Sequence, residues 1–586
     1  MYFQYFSDNF ILNFLPSFLF LVLLIFFSFY FSSVTIKKKI FFFDNSPFLI
    51  FVTIIAFFTI IFNYLVLLRE IYLLKYSVFL FSLLIILYFF INLNKDIKFK
   101  SFFNEFKLNF YGLPIIIYLP LFLFFLISIL PLSDSDSISS HLYFPVSILE
   151  KNNFSINLPK EVELLSYLNN EVILFLSPIL KSDNFGSQLN FFSLLILIIL
   201  LKKNRETVLL WLTCPLMIFF ISTQKLQLFF AIIFLFSAIF VFNYKVKNKL
   251  EIFIICFLIT FYSSGKMYYP LFSIPLLFVF FYKNNKYFFN IIFSLLASFL
   301  LIFFPILLNK FLHFSNPVAP FFSSIFLTDN NYSEMMSQSL RSSEGWLNDI
   351  NNIKIYFRAF IPTSFSNLSS TLGLGFLLLL INYKEIKNIY FLPYLLIFFI
   401  ILVGQILPRY YFESFLILSY FAYKKSNFMT AIIYIQGIAM VSLAAIFCFI
   451  AYFQTSIFLS KDNFMNKFSM SHERAKQISK LNLNGNILNL DQSRESIFLH
   501  NNSYSSRYLN AVQSFKGNEV YNKKLINFIK QNKIIYIVKS PDLNLPDCIR
   551  SEKISILGYR TAVRNFLKKT PLAYNDVHKV IQINCK

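Results

Sequence analysis

Repeated apolar runs of about 20 residues constrain this chain more than any other feature of its sequence. A helix of that length crosses the hydrocarbon core of a bilayer. The 586 residues are 57% hydrophobic and 14% charged, whereas soluble domains are about 45–50% apolar and about 25% charged. We therefore expect a polytopic membrane protein with about fourteen spans, near residues 10–32, 47–68, 72–93, 111–131, 187–201, 206–223, 226–243, 250–264, 267–282, 287–309, 371–382, 388–404, 408–423 and 428–457.

Basic residues are concentrated in every second connection between these runs. Clusters stand at Lys37–Lys39, Lys202–Arg205, Lys245–Lys249 and Lys424–Lys425, among others. The positive-inside rule places these connections in the cytoplasm. Both termini are then expected outside, together with the long polar segments 133–186, 310–370 and 460–586. The net charge of +23 follows this alternation, so we expect no nucleic-acid partner.

Three regions follow from this pattern. Residues 1–108 form a membrane region of three helices, and residues 109–459 form a membrane core with outer loops 133–186 and 310–370. Residues 460–586 mix short apolar runs with a helical pattern from Asn518 to Gln531, which is typical of a small α/β domain. The predicted fold class is an all-α polytopic membrane protein with a small C-terminal α/β domain outside the cytoplasm.

Acidic residues and a histidine follow the fourth apolar run, in the stretch from Ser133 to Pro145. Asp134 and Asp136 share a face if this stretch is extended, and His141 is five residues further on. The alternative is that these acids only mark the hydrated end of a span. Glu163 lies further along, near the start of a second amphipathic segment, where capping by the helix dipole is an equal alternative.

The cysteines and histidines give no metal signature. The five cysteines are dispersed, and no CxxC or Cys/His spacing is present. His141 has no second histidine nearby. We therefore expect no cofactor; a divalent metal stays an open alternative that nothing in the sequence supports.

The stretch after the fourth run resembles the first outer loop of GT-C class glycosyltransferases, of the bacterial mannosyltransferase-like and aminoarabinose-transferase-like type. Their pattern D-x-l-x-Y-H-x-x-x-P matches at Asp136, His141 and Pro145 and departs at Ser140. Three later segments are similar to further motifs of the same class, in the same order over residues 110–460. They are Leu158–Leu168 (P-x-x-x-E-L-l, with Glu163 on the acidic position), Ser315–Phe322 (G-N-P-x-y-P-f-f) and Gln405–Tyr411 (Q-x-x-R-Y).

The resemblance implies an enzyme that transfers a sugar from a polyprenyl-phosphate carrier to a lipid, glycan or protein acceptor. The reaction would belong to the cell envelope, on the outer face of a bacterial inner membrane. Asp136 would be the general base, with Asp134 as its helper. Basic residues at outer span ends would neutralise the lipid phosphate, and the candidates are Lys225, Lys266, and Arg409 with Tyr410. His141 and Glu163 would contact substrate.

Other functions stay open at this stage. A polysaccharide polymerase or ligase would use the same carrier lipid, although it should centre on basic residues of a large outer loop. A flippase or transporter for a lipid-linked glycan should show ionisable residues or broken helices at mid-membrane. Each basic candidate also has an ordinary alternative, which is an interfacial side chain that snorkels.

Overall fold

The structure is a computed structural model, and it describes most of the membrane region and part of the tail. The described residues are 5–37, 46–93, 115–134, 137–152, 154, 167–202, 204–243, 246–319, 322, 325–326, 357, 359–361, 371–381, 396–397, 408–410, 412–490, 503–505, 519–539, 545–546, 549–560 and 575–585.

The membrane region is a bundle of helices. Its first half contains ten helices in the described residues: α1 (Phe10–Lys37), α2 (Ser46–Leu67), α3 (Leu73–Leu93), α4 (Ile115–Ser128), α5 (Tyr143–Lys151), α6 (Asn169–Ile173), α7 (Leu176–Ile179), α8 (Phe185–Leu201), α9 (Arg205–Leu212) and α10 (Leu216–Ile221). Its second half contains eight more, within the same described set: α11 (Gln227–Asn243), α12 (Lys249–Ser263), α13 (Pro270–Lys283), α14 (Phe288–Ile302), α15 (Phe304–Phe314), α16 (Leu374–Ile381), α17 (Phe412–Ile417) and α18 (Asn427–Tyr452).

The core of the bundle lies around α8 and α11, whose side chains are buried on nearly all faces. Helices α3, α13, α14 and α18 instead expose large apolar side chains, such as Phe79, Phe278, Phe289 and Ile438. Helices that are apolar both inside and outside the bundle are typical of proteins in lipid. Four segments of the described chain are long and apolar enough to cross a membrane: Phe10–Ser32, Pro47–Leu67, Asn285–Ile302 and Asn427–Tyr452.

Side-chain caps and prolines explain where several helices begin. The side chains of Asn204, Asn248 and Ser426 accept hydrogen bonds from backbone amides in the first turns of α9, α12 and α18, which satisfies donors that the helix leaves free. Pro215 separates α9 from α10 because a proline lacks the amide hydrogen that a continuous helix needs. The predicted span 206–223 is therefore two short helices.

The basic connections lie at one end of the bundle, and the alternate connections lie at the other. At one end, Lys425 pairs with Glu206 at 2.7 Å, and the Lys283 ammonium donates to the carbonyl oxygens of Val241 and Phe242. The other end joins the alternate connections and includes a π-helical turn, Ser137–Leu142, and a 3-10 turn, Pro408–Tyr410. We call this second end the polar end; it is formed by residues 129–134, 137–142, 167–184, 222–227, 264–269, 408–410 and 412–413.

The tail begins with α19 (Lys461–Phe468) and α20 (Met470–Ser479). A five-stranded sheet follows in the order β2-β1-β3-β5-β4, with β1 (Asn486–Asn489), β2 (Ser503–Ser505), α21 (Glu519–Gln531), β3 (Ile534–Lys539), β4 (Ile549–Arg560) and β5 (Asn575–Cys585). The first three spatial neighbours are parallel, and β5 is antiparallel to β3 and β4. Helix α19 packs on the membrane core through Phe464 and Met465, whereas Ala475 and Ile478 of α20 pack on the sheet.

The structure confirms a mostly helical protein with apolar helices and a small sheet. The count of fourteen spans stays a prediction. The span expected at 287–309 is divided into α14 and α15, and α15 extends to Phe314, inside the expected loop. The expected span 388–404 lies outside the described residues, except for 396–397. Residues 158–166, which belong to the segment that resembles the second motif, also lie outside them.

Candidate functional site

Asp134 anchors the first outer loop at the polar end. Its Oδ2 atom accepts hydrogen bonds from the Ser137 amide at 3.1 Å and from the Ser137 hydroxyl at 2.9 Å, at the start of the π-helical turn. The Gln224 amide donates to the same hydroxyl at 3.1 Å. Asp134 is buried, so these contacts hold the loop beside the turn that carries Lys225. The two other acidic candidates, Asp136 and Glu163, lie outside the described residues.

His141 is paired with a carboxylate that the sequence analysis had not selected. Its Nδ1 atom lies 2.9 Å from Oε1 of Glu171. Because an ionised carboxylate only accepts hydrogen bonds, Nδ1 carries a proton and donates it to Glu171. Burial acts to raise the pKa of Glu171, but hydrogen bonds from His141, the Leu168 amide and Asn170 hold that pKa below its usual value. Glu171 is therefore ionised at neutral pH.

Asparagines fix the backbone around this pair. The Asn169 side chain donates to the Ser264 hydroxyl at 2.6 Å and accepts from Asn63 of α2 at 2.7 Å. Asn170 accepts from the Leu226 amide at 3.0 Å, and Asn190 of α8 donates to the Lys225 carbonyl at 2.8 Å. These buried amides tie α2, α6, α8 and two turns together, because each polar group inside an apolar bundle needs a partner.

Three cations from separate turns lie at the polar end, and the charges of Lys225, Arg409 and Glu171 all act on Lys266. Lys225 is buried, and Lys266 and Arg409 are half-buried. Protein atoms crowd around the Lys266 ammonium; this burial, with the charges of Lys225 and Arg409, lowers its pKa to about 7, while Glu171 and Glu413 act in the opposite direction. Lys266 is therefore a poorly solvated cation within electrostatic range of two like charges.

Arg409 and Tyr410 are placed by contacts with the turn that carries Lys266. The Arg409 guanidinium donates to the Tyr410 hydroxyl at 3.2 Å, and the rings of Tyr268 and Tyr410 are in contact, with centroids 4.8 Å apart. The Gln227 side chain donates to the Tyr268 hydroxyl and to the Arg409 carbonyl. The turn approaches α11 closely at Gly265, where an added Cβ would lie 2.6 Å from the Phe230 ring.

The asparagine–proline segment after α15 also reaches this region. The Lys310 ammonium donates to the Ala319 carbonyl at 2.9 Å and lies 5.0 Å from the centre of the Tyr167 ring. Asn316 is buried and closes the turn by accepting from the Val318 amide. Burial lowers the pKa of Lys310 to about 7, and Glu171 opposes that change, which shows that this segment lies within electrostatic range of Glu171.

The structure therefore brings His141, Lys266, Arg409 and Tyr410 to one end of the bundle, together with Lys225. Sequence reasoning missed Glu171, Gln224, Gln227 and Glu413. Glu413 carries a usable signal, since an acid inside an apolar run is expensive and marks a functional position. Glu171 gave a weaker one, as part of a polar run in an outer loop. The two glutamines gave none, because uncharged amides are common at helix ends.

The arrangement is suited to an anion. Cations converge on it from independent turns, and anionic oxygens are bound well where such donors are held in a place of low dielectric. Within the described residues, no group of three His, Cys, Asp or Glu side chains is positioned to hold a metal ion.

Comparison with protein families, with curated proteins and with solved structures gives no significant match to this chain.

Proposed function

We propose that this chain is a glycosyltransferase of the GT-C type. It transfers a sugar from a polyprenyl-phosphate carrier to a lipid, glycan or protein acceptor at the polar end. The observation that carries the proposal is the convergence of Lys225, Lys266 and Arg409 near the His141–Glu171 pair. These residues lie on segments far apart in sequence, and two of the segments were selected by their resemblance to this class.

In this reaction an acceptor hydroxyl attacks the anomeric carbon of the sugar. The bond from that carbon to the phosphate oxygen breaks, and the carrier leaves as the lipid phosphate. The cations of the polar end neutralise the charge that develops on the leaving group. The acceptor proton passes to the carboxylate of Asp136, whose assignment rests on the resemblance. Asp134 acts as a helper, since its bonds to Ser137 hold this loop against Gln224.

We also propose the number of spans and the side of the membrane on which the site lies. About fourteen spans would place the polar end and the sheet domain on the periplasmic face of a bacterial inner membrane. The apolar exterior of α3, α13, α14 and α18 supports a place in lipid. The pairing of Lys425 with Glu206 supports a separate, opposite end for the basic connections.

The test uses the purified full chain in lipid nanodiscs with radiolabelled farnesyl-phosphoryl hexoses, and with extracted envelope lipids and glycans as acceptors. We expect Asp136→Asn to reduce sugar transfer by about 10²–10⁴-fold, which is the usual contribution of a general base, and to leave binding of farnesyl phosphate unchanged. Lys266→Met should weaken that binding. Lys286→Met is the matched control, because Lys286 is exposed and adjoins Lys283 at the opposite end.

Two outcomes contradict the proposal. Transfer that is unchanged in Asp136→Asn would remove the base. Movement of the labelled lipid between leaflets of proteoliposomes, without release of farnesyl phosphate, would instead favour a flippase.

A further inference from the structure

One short turn of the polar end carries a cation between two buried glutamines. Residues 223–227 join α10 to the start of α11, and we call them the central turn. Lys225 lies between Gln224 and Gln227, and both glutamine side chains are 0% exposed. A buried amide is stable only when its donors and acceptor are satisfied. The partners of each glutamine therefore show which parts of the structure the central turn holds.

Gln224 attaches the central turn to the start of α8. Its Oε1 atom accepts a hydrogen bond from the Gly186 amide at 2.8 Å, and its Nε2 atom donates to the Asp183 carbonyl. A Cβ atom added to Gly186 would overlap the Gln224 side chain, so the glycine permits this close approach. These two bonds fix the orientation of the Gln224 residue as a whole.

The backbone of Gln224 holds the first outer loop. Its amide donates to the Ser137 hydroxyl at 3.1 Å, and this hydroxyl donates to Asp134 at 2.9 Å. Ser137 begins the π-helical turn and directly follows Asp136 in the sequence. A displacement of the Gln224 amide would therefore displace the segment that carries the proposed base.

Gln227 holds the opposite side of the site. Its Nε2 atom donates to the Tyr268 hydroxyl at 3.0 Å and to the Arg409 carbonyl. Tyr268 belongs to the turn that carries Lys266, and its ring contacts that of Tyr410. The two N–H groups of one amide thus join the two segments whose cations are proposed to bind the carrier phosphate.

The middle of the central turn has supports of its own. The Lys225 carbonyl accepts from Asn190 at 2.8 Å, and the Leu226 amide donates to Asn170 at 3.0 Å. Asn170 also donates to Glu171 at 2.9 Å. We therefore expect Lys225 to stay in place when either flanking glutamine is replaced.

We propose that Gln224 and Gln227 are positioning residues that hold the two sides of the site in register around Lys225. Gln224 positions the first outer loop for proton transfer, and Gln227 positions the segments of Lys266 and Arg409 for phosphate binding. This inference rests on the proposed function. It requires the two glutamines to control different kinetic constants, although they are three residues apart.

The test measures kcat and KM for a farnesyl-phosphoryl hexose, and affinity for farnesyl phosphate, with the full chain in nanodiscs. Gln224→Met should lower kcat about 10²-fold, which is the effect of a displacement of about 1 Å at the reacting atoms, and should leave farnesyl phosphate affinity unchanged. Gln227→Met should raise KM and weaken farnesyl phosphate binding about tenfold, the scale of one weakened charge-assisted contact. Its loss of kcat should be much smaller than that of Gln224→Met.

Gln436→Met is the matched control. The Gln436 side chain likewise donates to a backbone carbonyl, that of Thr213 at 2.9 Å, and accepts from a backbone amide, that of Gly375 at 3.2 Å. These contacts join α18 to the end of α9 and to α16, outside the polar end. We expect Gln436→Met to lower the free energy of unfolding and to leave both kcat and KM unchanged.

Two further variants decide the result if a glutamine variant does not fold. Ser137→Ala removes the hydroxyl that links Asp134 to the Gln224 amide, so its effect should be on kcat. Tyr268→Phe removes one acceptor of Gln227 but keeps the ring that contacts Tyr410, so its effect should be on KM.

The outcomes separate this inference from the proposed function. Parallel changes of kcat and KM in both glutamine variants, or changes no larger than those of Gln436→Met, would show that the glutamines only stabilise the fold. The proposed function would then stand. A wild type that neither binds farnesyl phosphate nor transfers a hexose would overturn the proposed function, and this inference with it.

Discussion

Two charged clusters lie at the polar end. One pairs opposite charges, whereas the other brings like charges near each other. In the first, which we call the clamp, Lys461 pairs with Asp183 at 2.8 Å with both side chains 0% exposed. Asn13 donates to Asp183 at 2.6 Å and accepts from Lys461 at 3.1 Å. In the second, burial and the like charges of Lys225 and Arg409 lower the pKa of Lys266.

We interpret the first cluster as structural and the second as the proposed binding site. The clamp matches one cation with one anion and joins α1, the start of α8 and α19, so it holds the tail on the membrane core. At the site, Lys266 lies near the like charges of Lys225 and Arg409, and burial disfavours its charged form. Sequences usually agree with their folds except where function requires a conflict, and the polar end shows both situations within one network.

The largest effect is expected from breaking the clamp. Lys461→Met leaves the Asp183 carboxylate buried without its cation, and removal of one partner of a buried pair costs about 3–5 kcal/mol. We expect the free energy of unfolding to fall by that amount in a denaturant titration in detergent. Asp183→Asn combined with Lys461→Met should recover part of the loss.

Lys425→Met is the control for the clamp. Lys425 also forms a 2.7 Å ion pair, with Glu206, but its side chain is 67% exposed. An exposed pair contributes about 0–1 kcal/mol. Equal losses in Lys461→Met and Lys425→Met would show that the comparison between buried and exposed pairs does not hold here.

A middle-sized effect is expected from pH at the site. Lys266 is cationic below its pKa of about 7 and neutral above it, so phosphate binding should be strongest at low pH and decline as the pH rises through 7. We expect affinity for a farnesyl phosphodiester, whose single charge does not change in this range, to fall about tenfold between pH 6 and pH 8, about the effect of one pKa unit.

Lys266→Arg should abolish most of this pH dependence, because a guanidinium stays charged. Lys310 also has a pKa lowered to about 7 by burial. If the affinity of Lys266→Arg changed with pH as much as that of the wild type, Lys310 would account for the pH dependence, and Lys266 would not be the phosphate ligand.

The smallest effect is expected at the start of the tail. Burial acts to raise the pKa of Asp462, but hydrogen bonds from Lys476, His472 and Asn466 lower it to about 2. The resulting stabilisation is present above the ordinary pKa of Asp, about 4, and is lost as the pH falls toward 2. The side chain is 35% exposed, so we expect Asp462→Asn to cost less than about 1 kcal/mol at pH 7.

Thermal unfolding of the wild type and of Asp462→Asn at pH 7 and pH 3 measures this loss of stability. The difference between the two proteins should be smaller at pH 3. A loss at pH 7 as large as that of Lys461→Met would mean that the tail depends on Asp462 as much as on the clamp.

Sequence patterns placed most helices well. Apolar runs gave α2, α8 and α11 to within two residues at each end, and α1 and α18 to within about five, because their length and lack of charge leave few alternatives. In the tail, the helical pattern from Asn518 to Gln531 gave α21 (Glu519–Gln531). The patterns did not separate α9 from α10, since periodicity is insensitive to the local break at Pro215. Likewise, they did not show that α15 continues into the expected loop.

The sequence by itself determined that this chain is apolar throughout, that its basic residues alternate between connections, and which polar residues stand at helix ends. Those properties are local, and they follow from composition and spacing. Only the tertiary structure decided that Glu171 pairs with His141, that Asp134 caps a turn beside Gln224, and that Glu413 faces Tyr262 and Tyr269. These contacts join residues tens to hundreds of positions apart, and their energies depend on burial, which arises only when the helices pack.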